Sequence, residues 1–298
     1  MSSGSLISIV VVVFNMRREA ARTLFSLSAK YQQDVTENDY EVIVVENGSA
    51  EPLTEAFVQS FGKNFRYYYI ENAPLSPAHA INFGAKKAKG EIFGIMIDGA
   101  RILTPGVIKY AIKAARTYPN PVIAVIGFHL GPEVQNLSMA KGYSREKEDE
   151  LLASIDWAQN GYKLFEISCL AESCKGSWFS QIGESNCIFM KKESFFKLGG
   201  YDERFDLPGG GIVNLDTYAR ACEIPDSTLV FMLGEGAFHQ LHSGICTNAD
   251  LDKQRAQLKA YGEQYSKIRD EDYSKPTKEI TYIGHIPKES IKFLRAPL

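Results

Sequence analysis

The fold is constrained most strongly by a run of apolar, mostly β-branched residues near the start of the chain, residues 6–14. A run of this kind, without regular polar alternation, is typical of a strand buried on both faces of a parallel sheet. Further strand patterns follow at residues 41–45, 65–70 and 92–97, with helical patterns between them. Strands that alternate with helices predict an α/β protein with a Rossmann-like, mostly parallel sheet flanked by helices.

Composition agrees with a globular protein and excludes several other classes. Hydrophobic residues make up 45% and charged residues 23% of the 298 positions, which excludes a largely disordered chain. The net charge of −3 disfavours a general nucleic-acid-binding protein. No apolar run is long enough to cross a bilayer and no signal peptide is recognisable, so we expect a cytoplasmic protein without a transmembrane segment.

The second half of the chain has a less regular pattern. Its predicted strands are residues 122–128, 184–190 and 228–233. Residues 133–175 are polar and partly charged, and we interpret them as a helical insertion. An amphipathic pattern at residues 250–268 precedes the end of the chain, so residues 247–298 predict a C-terminal helical extension.

Polar residues follow the predicted strands and are candidates for a ligand site. Asp98 follows the apolar run at 92–97, and in open α/β sheets ligands bind outside the carboxyl ends of the strands. Asp98-Gly99 is also a common turn pair, and taken alone it is better interpreted as a turn. Asn15 and residues 46–49 follow the first two strands and have two similar interpretations, ligand contact or turn and helix cap.

Several longer patterns occur together and in one order along the chain. They are Phe14-Asn15-Met16-Arg17, Val45-Glu46-Asn47-Gly48-Ser49, residues 82–91 leading to Asp98, residues 195–205, Asp216 with Arg220, and His239 with His242. As an ordered set they resemble the family 2 glycosyltransferases of GT-A fold, in a variant with a degenerate Asp-x-Asp element. The resemblance implies one domain over residues 5–246, with a nucleotide-binding half at 5–128 and an acceptor half at 129–246.

Members of this family transfer a sugar from a nucleotide-diphosphate sugar to an acceptor hydroxyl, usually with inversion at the anomeric carbon. The resemblance therefore implies a glycosyltransferase of carbohydrate biosynthesis that uses a saccharide or another hydroxyl compound as acceptor. A UDP-sugar is the first expectation for the donor. The chemistry needs neutralisation of the leaving diphosphate, usually by Mn²⁺ or Mg²⁺, and a general base for the acceptor.

The resemblance assigns nucleotide-sugar binding to residues at the strand ends and on one helix. These residues are Phe14, Asn15, Arg17, Glu46, Asn47, His79, Asn82, Asp98, Gly99 and Arg101. A carboxylate such as Glu46 can accept a hydrogen bond from a base N–H or a ribose hydroxyl. Ile81 stands where the family commonly has arginine, which leaves the identity of the base open.

The Asp-x-Asp element of the family aligns with Asp98 and Ala100, and an acid that often follows it aligns with Arg101. Alanine cannot ligate a hard cation, which requires oxygen donors. In one interpretation Asp98, the donor phosphates and His239 or His242 still hold a divalent cation. In the other, which we favour, Arg101 supplies positive charge to the diphosphate and metal dependence is weak or absent.

The general base of the family belongs to a Glu-Asp-x-Asp run that precedes an arginine. Anchoring this run on Asp216 and Arg220 aligns the catalytic aspartate with Asn214, which cannot take a proton at neutral pH. Asp216 and Asn214 are therefore assigned to the catalytic site, and three interpretations stay open. Asp216 is the base, another acid such as Glu184 or Asp206 is the base, or the enzyme is inactive. Capping of a helix or pairing with Arg220 is the structural alternative for Asp216.

The resemblance also implies a sugar or acceptor contact around the strand predicted at residues 184–190. The residues assigned to this contact are Trp178, Glu184, Ser185 and Asn186. Tryptophan faces stack on sugars, although such side chains are more often part of the core.

A second hypothesis is a non-catalytic nucleotide-sugar sensor or scaffold of the same fold. Ala100 and Asn214 support it, because each replaces a carboxylate that the chemistry of the family requires. A sugar nucleotidyltransferase is a weaker alternative, since residues 13–18 contain none of the glycines of a phosphate-binding loop.

Overall fold

The computed structural model describes residues 7–242 and 251–294, and the expected domain limits at residues 5 and 246 lie outside these ranges. The strands are β1 (Ile7–Val13), β2 (Tyr40–Glu46), β3 (Phe65–Tyr69), β4 (Ile92–Met96), β5 (Arg101–Leu103), β6 (Pro121–Leu130), β7 (Ser168–Leu170), β8 (Cys187–Lys191), β9 (Thr228–His239) and β10 (Ile280–Gly284). The α-helices are α1 (Arg17–Ser26), α2 (Glu55–Gln59), α3 (Ala78–Lys87), α4 (Val107–Thr117), α5 (Gln135–Ala140), α6 (Arg145–Ser154), α7 (Lys192–Lys197), α8 (Val213–Glu223) and α9 (Leu251–Arg269).

The strands form one sheet with the order β10-β9-β6-β8-β4-β1-β2-β3, and β5 and β7 pair with β9 and β6 beside this path. Strands β1 to β4 are parallel to their neighbours among themselves, and so are β6, β9 and β10. Strand β8 lies antiparallel between β4 and β6 and joins the two parallel groups. The predicted α/β class with a mostly parallel sheet is confirmed.

Helices cover both faces of the sheet because the central strands are apolar on both sides. Every residue of β1 is buried. Val10 and Val12 enter the apolar cluster that contains α3, whereas Ile9, Val11 and Val13 enter the cluster that contains α1 and α4. Full burial of such a side chain contributes roughly 1.5–3 kcal/mol. The β-branched run that dominates the sequence therefore forms the centre of the fold.

Helix α3 lies unusually close to β1. A Cβ atom placed on Gly84 would lie 2.6 Å from Cγ2 of Val10, closer than real Cβ atoms approach another heavy atom. Glycine at this position of α3 is therefore required for the helix to pack directly on the strand.

The second half departs from the sequence prediction at β9, which was expected to end at residue 233. The strand continues to His239 because its second part pairs with β5, a short strand that the sequence did not predict. It also pairs with β6 beyond a register shift between Ala124 and Ile126. His239 is consequently the last residue of β9, whereas the sequence prediction placed it beyond the end of this strand.

The C-terminal part of the chain is more than a helical extension. Strand β10 pairs in parallel with β9 and so belongs to the main sheet. Helix α9 packs on the loop before α8, where Tyr261 donates to the carbonyl oxygen of Pro208 at 2.6 Å. Within the described residues, no helix is both long enough and apolar enough to cross a bilayer.

Candidate functional site

A polar cluster forms where the chain leaves β4 and enters β5. Asp98 lies in this turn, and Arg101, the first residue of β5, is paired in register with His239 of β9. Nε of Arg101 donates to Oδ2 of Asp98 at 2.9 Å, and a second guanidinium nitrogen lies 2.9 Å from the same oxygen. Pairing of β5 with β9 therefore brings a carboxylate, a guanidinium and an imidazole together at one end of the sheet.

A side chain of α1 forms hydrogen bonds with the turn that carries Asp98. Oγ1 of Thr23 donates to the carbonyl oxygen of Gly99 at 2.8 Å and accepts from the N–H of Arg101 at 3.0 Å. Ala100 is fully buried and belongs to the apolar cluster that contains α1 and α4. The position where the Asp-x-Asp element lacks its second carboxylate is thus filled by a small apolar side chain of the core.

The side chains of His239 and His242 contact each other near Arg101. Their Nε2 atoms lie 3.0 Å apart, and both side chains are buried. Burial, together with the charge of Arg101, holds the pKa of His239 well below its usual range. Burial also lowers the pKa of His242, although the carboxylate of Asp98 opposes this effect. Both imidazoles are therefore neutral near pH 7, the form that binds metal ions.

The cluster has the donor atoms for a divalent cation. One ligand atom each from Asp98, His239 and His242 lies within 4.8 Å of the other two. Imidazole nitrogens with a carboxylate oxygen suit Mn²⁺ and related first-row ions. Arg101 occupies only Oδ2 of Asp98, while Oδ1 accepts from the N–H of Ala100 at 3.0 Å. The residues required by both interpretations of the phosphate site are thus present side by side.

The insertion between β6 and β7 contributes residues that the sequence did not identify. Gln135 of α5 contacts both the ring and the backbone of His239. Glu148 of α6 accepts from the N–H of Leu241 at 2.7 Å, and Leu241 lies between the two histidines in the sequence. The charge of Arg145 is close enough to lower the pKa of His242 further. The charged run at residues 144–150 was visible in the sequence, but nothing local connected it with a strand end more than 90 residues away.

The loop after β1 has exposed side chains. Phe14 is 45% exposed, and Arg17 is exposed at the start of α1. Asn15 has a left-handed backbone with φ of 52°, a conformation that asparagine tolerates better than most residues. Its N–H donates to Oγ of Ser49 at 2.7 Å, so the loops after β1 and β2 are joined.

Two residues assigned to nucleotide binding form hydrogen bonds with other residues of the chain. Glu46 is buried, with one carboxylate oxygen accepting from the hydroxyl of Ser49 and the other from the N–H of Leu53 at 2.9 Å. Asn82 donates to the carbonyl oxygen of Tyr201 at 2.8 Å and accepts from its N–H at 2.9 Å. These side chains hold neighbouring segments of the protein through hydrogen bonds, and their assignment to nucleotide binding stays a prediction.

Two further candidates retain unused or accessible polar atoms. Asn47 donates to the carbonyl oxygen of Pro74 at 3.0 Å, while its Oδ1 is buried without a hydrogen-bond partner among the described residues. His79 is 43% exposed, and its Nδ1 lies 3.3 Å from a carboxylate oxygen of Glu203. Both lie beside the strand ends where the expected nucleotide site was located.

Asp216 is placed in a structural ion pair. The carboxylate is completely buried and accepts two hydrogen bonds from Arg269 of α9, at 2.7 and 2.8 Å. Arg220 lies 3.4 Å from one of the same oxygens. A carboxylate saturated by arginines and closed to solvent cannot reach an acceptor hydroxyl, which argues against the interpretation of Asp216 as the base. Asp206, another candidate, is exposed and accepts from Gln264 at 2.8 Å.

Glu184 has a different environment beside the polar cluster. The register of β4 and β8 pairs Met96 with Cys187, so residues after β4 and residues before β8 leave the sheet side by side. Glu184 is partly exposed there. One of its oxygens accepts from Ser173 at 3.1 Å and the other from the amide of Asn214. Asn214 of α8, which the sequence comparison aligned with the catalytic aspartate, thus holds a carboxylate from the segment before β8.

The remaining candidates for contact with the sugar or the acceptor differ in burial. Trp178 is completely buried, packs on Phe128 and Phe165 and donates to the carbonyl oxygen of Glu235, so it belongs to the core. Ser185 is buried and donates to the carbonyl oxygen of Val125 at 3.0 Å, which also makes it structural. In the described structure neither side chain is exposed for contact with a sugar. Asn186 is partly exposed and accepts from Asn214 at 2.8 Å.

Solved structures of similar fold include enzymes that bind nucleotide sugars. S. aureus TarS, solved with UDP-GlcNAc, matches 87% of this chain and 66% of that chain with a TM-score of 0.55 at 12% identity. The mannosyltransferase PcManGT from Pyrobaculum calidifontis, solved with GDP-Man and Mn²⁺, matches 98% of this chain and 69% of that chain with a TM-score of 0.52 at 15% identity. These likenesses establish the GT-A fold.

The amino-acid sequence also has relatives and a family match. Validoxylamine A glucosyltransferase of Streptomyces hygroscopicus subsp. limoneus is 24% identical over 231 residues, which cover 74% of this chain and 49% of the relative. The chain thus spans about half the length of this relative. The model of glycosyl transferase family 2 matches residues 8–172, more than half of the chain and including the strand ends described above. The chain belongs to glycosyl transferase family 2.

Proposed function

We propose that the chain transfers a sugar from a nucleotide-diphosphate sugar to an acceptor hydroxyl, with inversion at the anomeric carbon. The observation that carries this proposal is the cluster of Asp98, Arg101, His239 and His242 at the carboxyl end of β4 in a family 2 chain. It offers positive charge and metal ligands where a leaving diphosphate would need them.

The nucleoside would bind across the joined loops after β1 and β2. Phe14 offers an exposed aromatic face for the base, and Asn47 offers a buried acceptor without a partner among the described residues. His79 and Arg17 lie at the accessible rim. A uridine nucleotide is the first expectation, and the similar structures bind both UDP-GlcNAc and GDP-Man.

A divalent cation would be held by Asp98, His239 and His242, a donor set that accepts first-row ions, of which Mn²⁺ is the one bound by the similar structure PcManGT. The cation would supply positive charge to the diphosphate as the sugar departs. Arg101 keeps Asp98 oriented by two contacts to one carboxylate oxygen and adds a second positive charge. The guanidinium and the cation then act together on the leaving group and are not alternatives.

Glu184 would act as the general base in place of an aspartate at position 214. Asn214 and Ser173 hold its two oxygens, and it is the partly exposed carboxylate beside the end of β4. In the reaction the acceptor oxygen bonds to the anomeric carbon while the bond from that carbon to the diphosphate oxygen breaks. The hydroxyl proton passes to Glu184, and the electron pair leaves with the nucleotide diphosphate.

Replacing Glu184 by glutamine tests this assignment. Donors to be screened are UDP-sugars and GDP-mannose with Mn²⁺ and a pool of sugar acceptors, and nucleotide release is the readout. For the donor that is turned over, Glu184→Gln should lower the rate by about 10²- to 10⁴-fold, the usual contribution of a general base, without weakening donor binding. Glu172→Gln, an exposed glutamate paired with Lys175 in the same region, is the matched control and should keep the wild-type rate. Unchanged turnover in Glu184→Gln would exclude it as the base.

The second candidate function is a non-catalytic sensor of nucleotide sugars. The observation that favours it is Asn214, an amide at the catalytic position of the family motif. A sensor would bind donors in calorimetry yet release no nucleotide with any acceptor pool. Turnover of one donor that depends on Glu184 would exclude the sensor.

A further inference from the structure

Gln135, a completely buried residue of the insertion between β6 and β7, contacts the histidine pair. The amide nitrogen of Gln135 donates to the carbonyl oxygen of His239 at 3.1 Å, and the amide oxygen lies 2.6 Å from Nδ1 of the same histidine. The backbone N–H of Gln135 donates to Nδ1 of His129 at 3.1 Å, which fixes the start of α5 beside the site. One side chain thus holds both the backbone and the ring of one histidine.

This arrangement determines which ring nitrogen of His239 carries the proton. A backbone carbonyl oxygen can only accept, so the end of the Gln135 side chain that faces it must be the NH₂ group. The end that faces Nδ1 is then the amide oxygen, which also only accepts. Nδ1 of His239 must therefore be protonated, and in a neutral ring Nε2 carries a lone pair. That lone pair is directed at Nε2 of His242, 3.0 Å away.

We propose that Gln135 is a positioning residue that keeps Nε2 of His239 unprotonated and aimed at His242 and Asp98, ready to ligate a divalent cation. In the metal-free chain the Nε2–H of His242 supplies the hydrogen bond between the two rings. To ligate a cation as well, Nε2 of His242 would have to lose this proton, either to Nδ1 of the same ring or to solvent, whereas Nε2 of His239 already offers its lone pair. This inference rests on the proposed cation site and adds to it a residue from the insertion.

Two substitutions at position 135 separate this role from simple support of the backbone. Gln135→Leu removes both the donor to the carbonyl and the acceptor for the ring. Gln135→Glu removes only the donor, because a carboxylate still accepts from Nδ1–H. A positioning role predicts that glutamate preserves cation binding, whereas a purely structural role predicts that both substitutions weaken it equally. Leu137→Ala is the matched control, since Leu137 is 44% exposed on the same helix.

The first measurement is Mn²⁺ binding by the full chain, followed by electron paramagnetic resonance. Loss of a hydrogen-bond partner of a metal-ligating histidine typically weakens binding 10- to 100-fold, and we expect this for Gln135→Leu. Gln135→Glu and Leu137→Ala should stay within about three-fold of the wild type, well below that loss. Equal weakening in both substitutions at position 135, or wild-type binding in Gln135→Leu, would overturn the proposal. Thermal unfolding of each variant checks that it is folded.

The second measurement needs neither a variant at position 135 nor a metal. Long-range ¹H–¹⁵N spectra of the metal-free wild-type chain report the tautomer of His239, with His239→Gln used for assignment. We expect protonated Nδ1 and unprotonated Nε2, and the opposite tautomer would refute the role of Gln135. If the wild-type chain binds no Mn²⁺ while His239 has the expected tautomer, the cation site fails and the positioning by Gln135 stands.

Discussion

Two aspartates from sequence motifs of this chain differ in exposure and in hydrogen-bond partners in the folded protein. Asp98 lies in the turn after β4, keeps 16% of its side chain exposed and shares one oxygen with Arg101. Asp216 lies on α8, is completely buried and has both oxygens bound by Arg269, with Arg220 close by. The first faces two neutral histidines, whereas the second faces the cations of α8 and α9.

The difference teaches that a carboxylate is available for chemistry only if the fold leaves part of it accessible, as it does for Asp98 but not for Asp216. Both residues match positions of the family pattern equally well in sequence. Asp216 forms an ion pair that connects α8 with α9. We therefore propose Glu184, whose oxygens accept hydrogen bonds from Asn214 and Ser173, as the catalytic carboxylate. Three experiments sharpen this contrast, beginning with the largest expected effect.

Asp98→Asn should abolish most function while sparing stability. Loss of the carboxylate removes one cation ligand and the partner that orients Arg101, so transfer should fall by about 10²- to 10³-fold. The amide oxygen can still accept from Ala100, and we expect a stability loss of only about 1 kcal/mol. Mn²⁺ titration, nucleotide release and urea unfolding measure the three quantities. Normal Mn²⁺ affinity in this variant would remove Asp98 from the cation site.

Asp216→Asn should behave in the opposite way. The substitution leaves Arg220 and Arg269 facing a neutral amide, although Asp202 still pairs with Arg269 at 2.9 Å. Because one charge of a buried ion-pair network is removed, we expect a loss of about 3 kcal/mol in the free energy of unfolding. Mn²⁺ affinity of the folded variant should equal that of the wild type. Glu193→Gln, which removes an exposed pair with Lys197, is the control and should leave the urea midpoint unchanged. A catalytic defect in Asp216→Asn without loss of stability would reinstate Asp216 as a candidate base.

A third carboxylate, Glu235, is buried without an arginine and extends the comparison. Burial raises its pKa to about 7, although the hydroxyls of Thr104 and Tyr162 and the N–H of Gly106 oppose this rise. The folded state therefore holds the proton to a higher pH than the unfolded state does. The stabilising protonated form is present below the unfolded pKa, and its contribution is lost as the pH rises towards and through 7.

Glu235→Gln should remove this pH dependence because glutamine does not titrate. The difference in unfolding free energy between the variant and the wild type should change by roughly 2 kcal/mol between pH 5 and pH 8, in favour of the variant at the higher pH. Comparing the two proteins at each pH cancels the opposite contributions of the buried histidines. Parallel stability curves would mean that Glu235 is ionised throughout.

The sequence was sufficient to predict the α/β class and the family. Runs such as residues 6–14 encode burial on both faces within a few neighbours, so their role does not depend on distant partners. The rule that ligands bind at the carboxyl ends of strands then located Asp98 correctly beside a polar cluster. The burial of Trp178 and Glu46 was not predicted, because their residue types suit both a sugar site and a satisfied position inside the protein.

Only the tertiary structure decided which polar groups are available. Pairing of β5 with β9 sets Arg101 beside His239, and Gln135 reaches His239 from 104 residues away. Arg269 neutralises Asp216 across 53 residues. The physical reason is that burial and periodicity are local properties of a sequence, whereas the satisfaction of a charge depends on partners that only the packed sheet brings within hydrogen-bond distance.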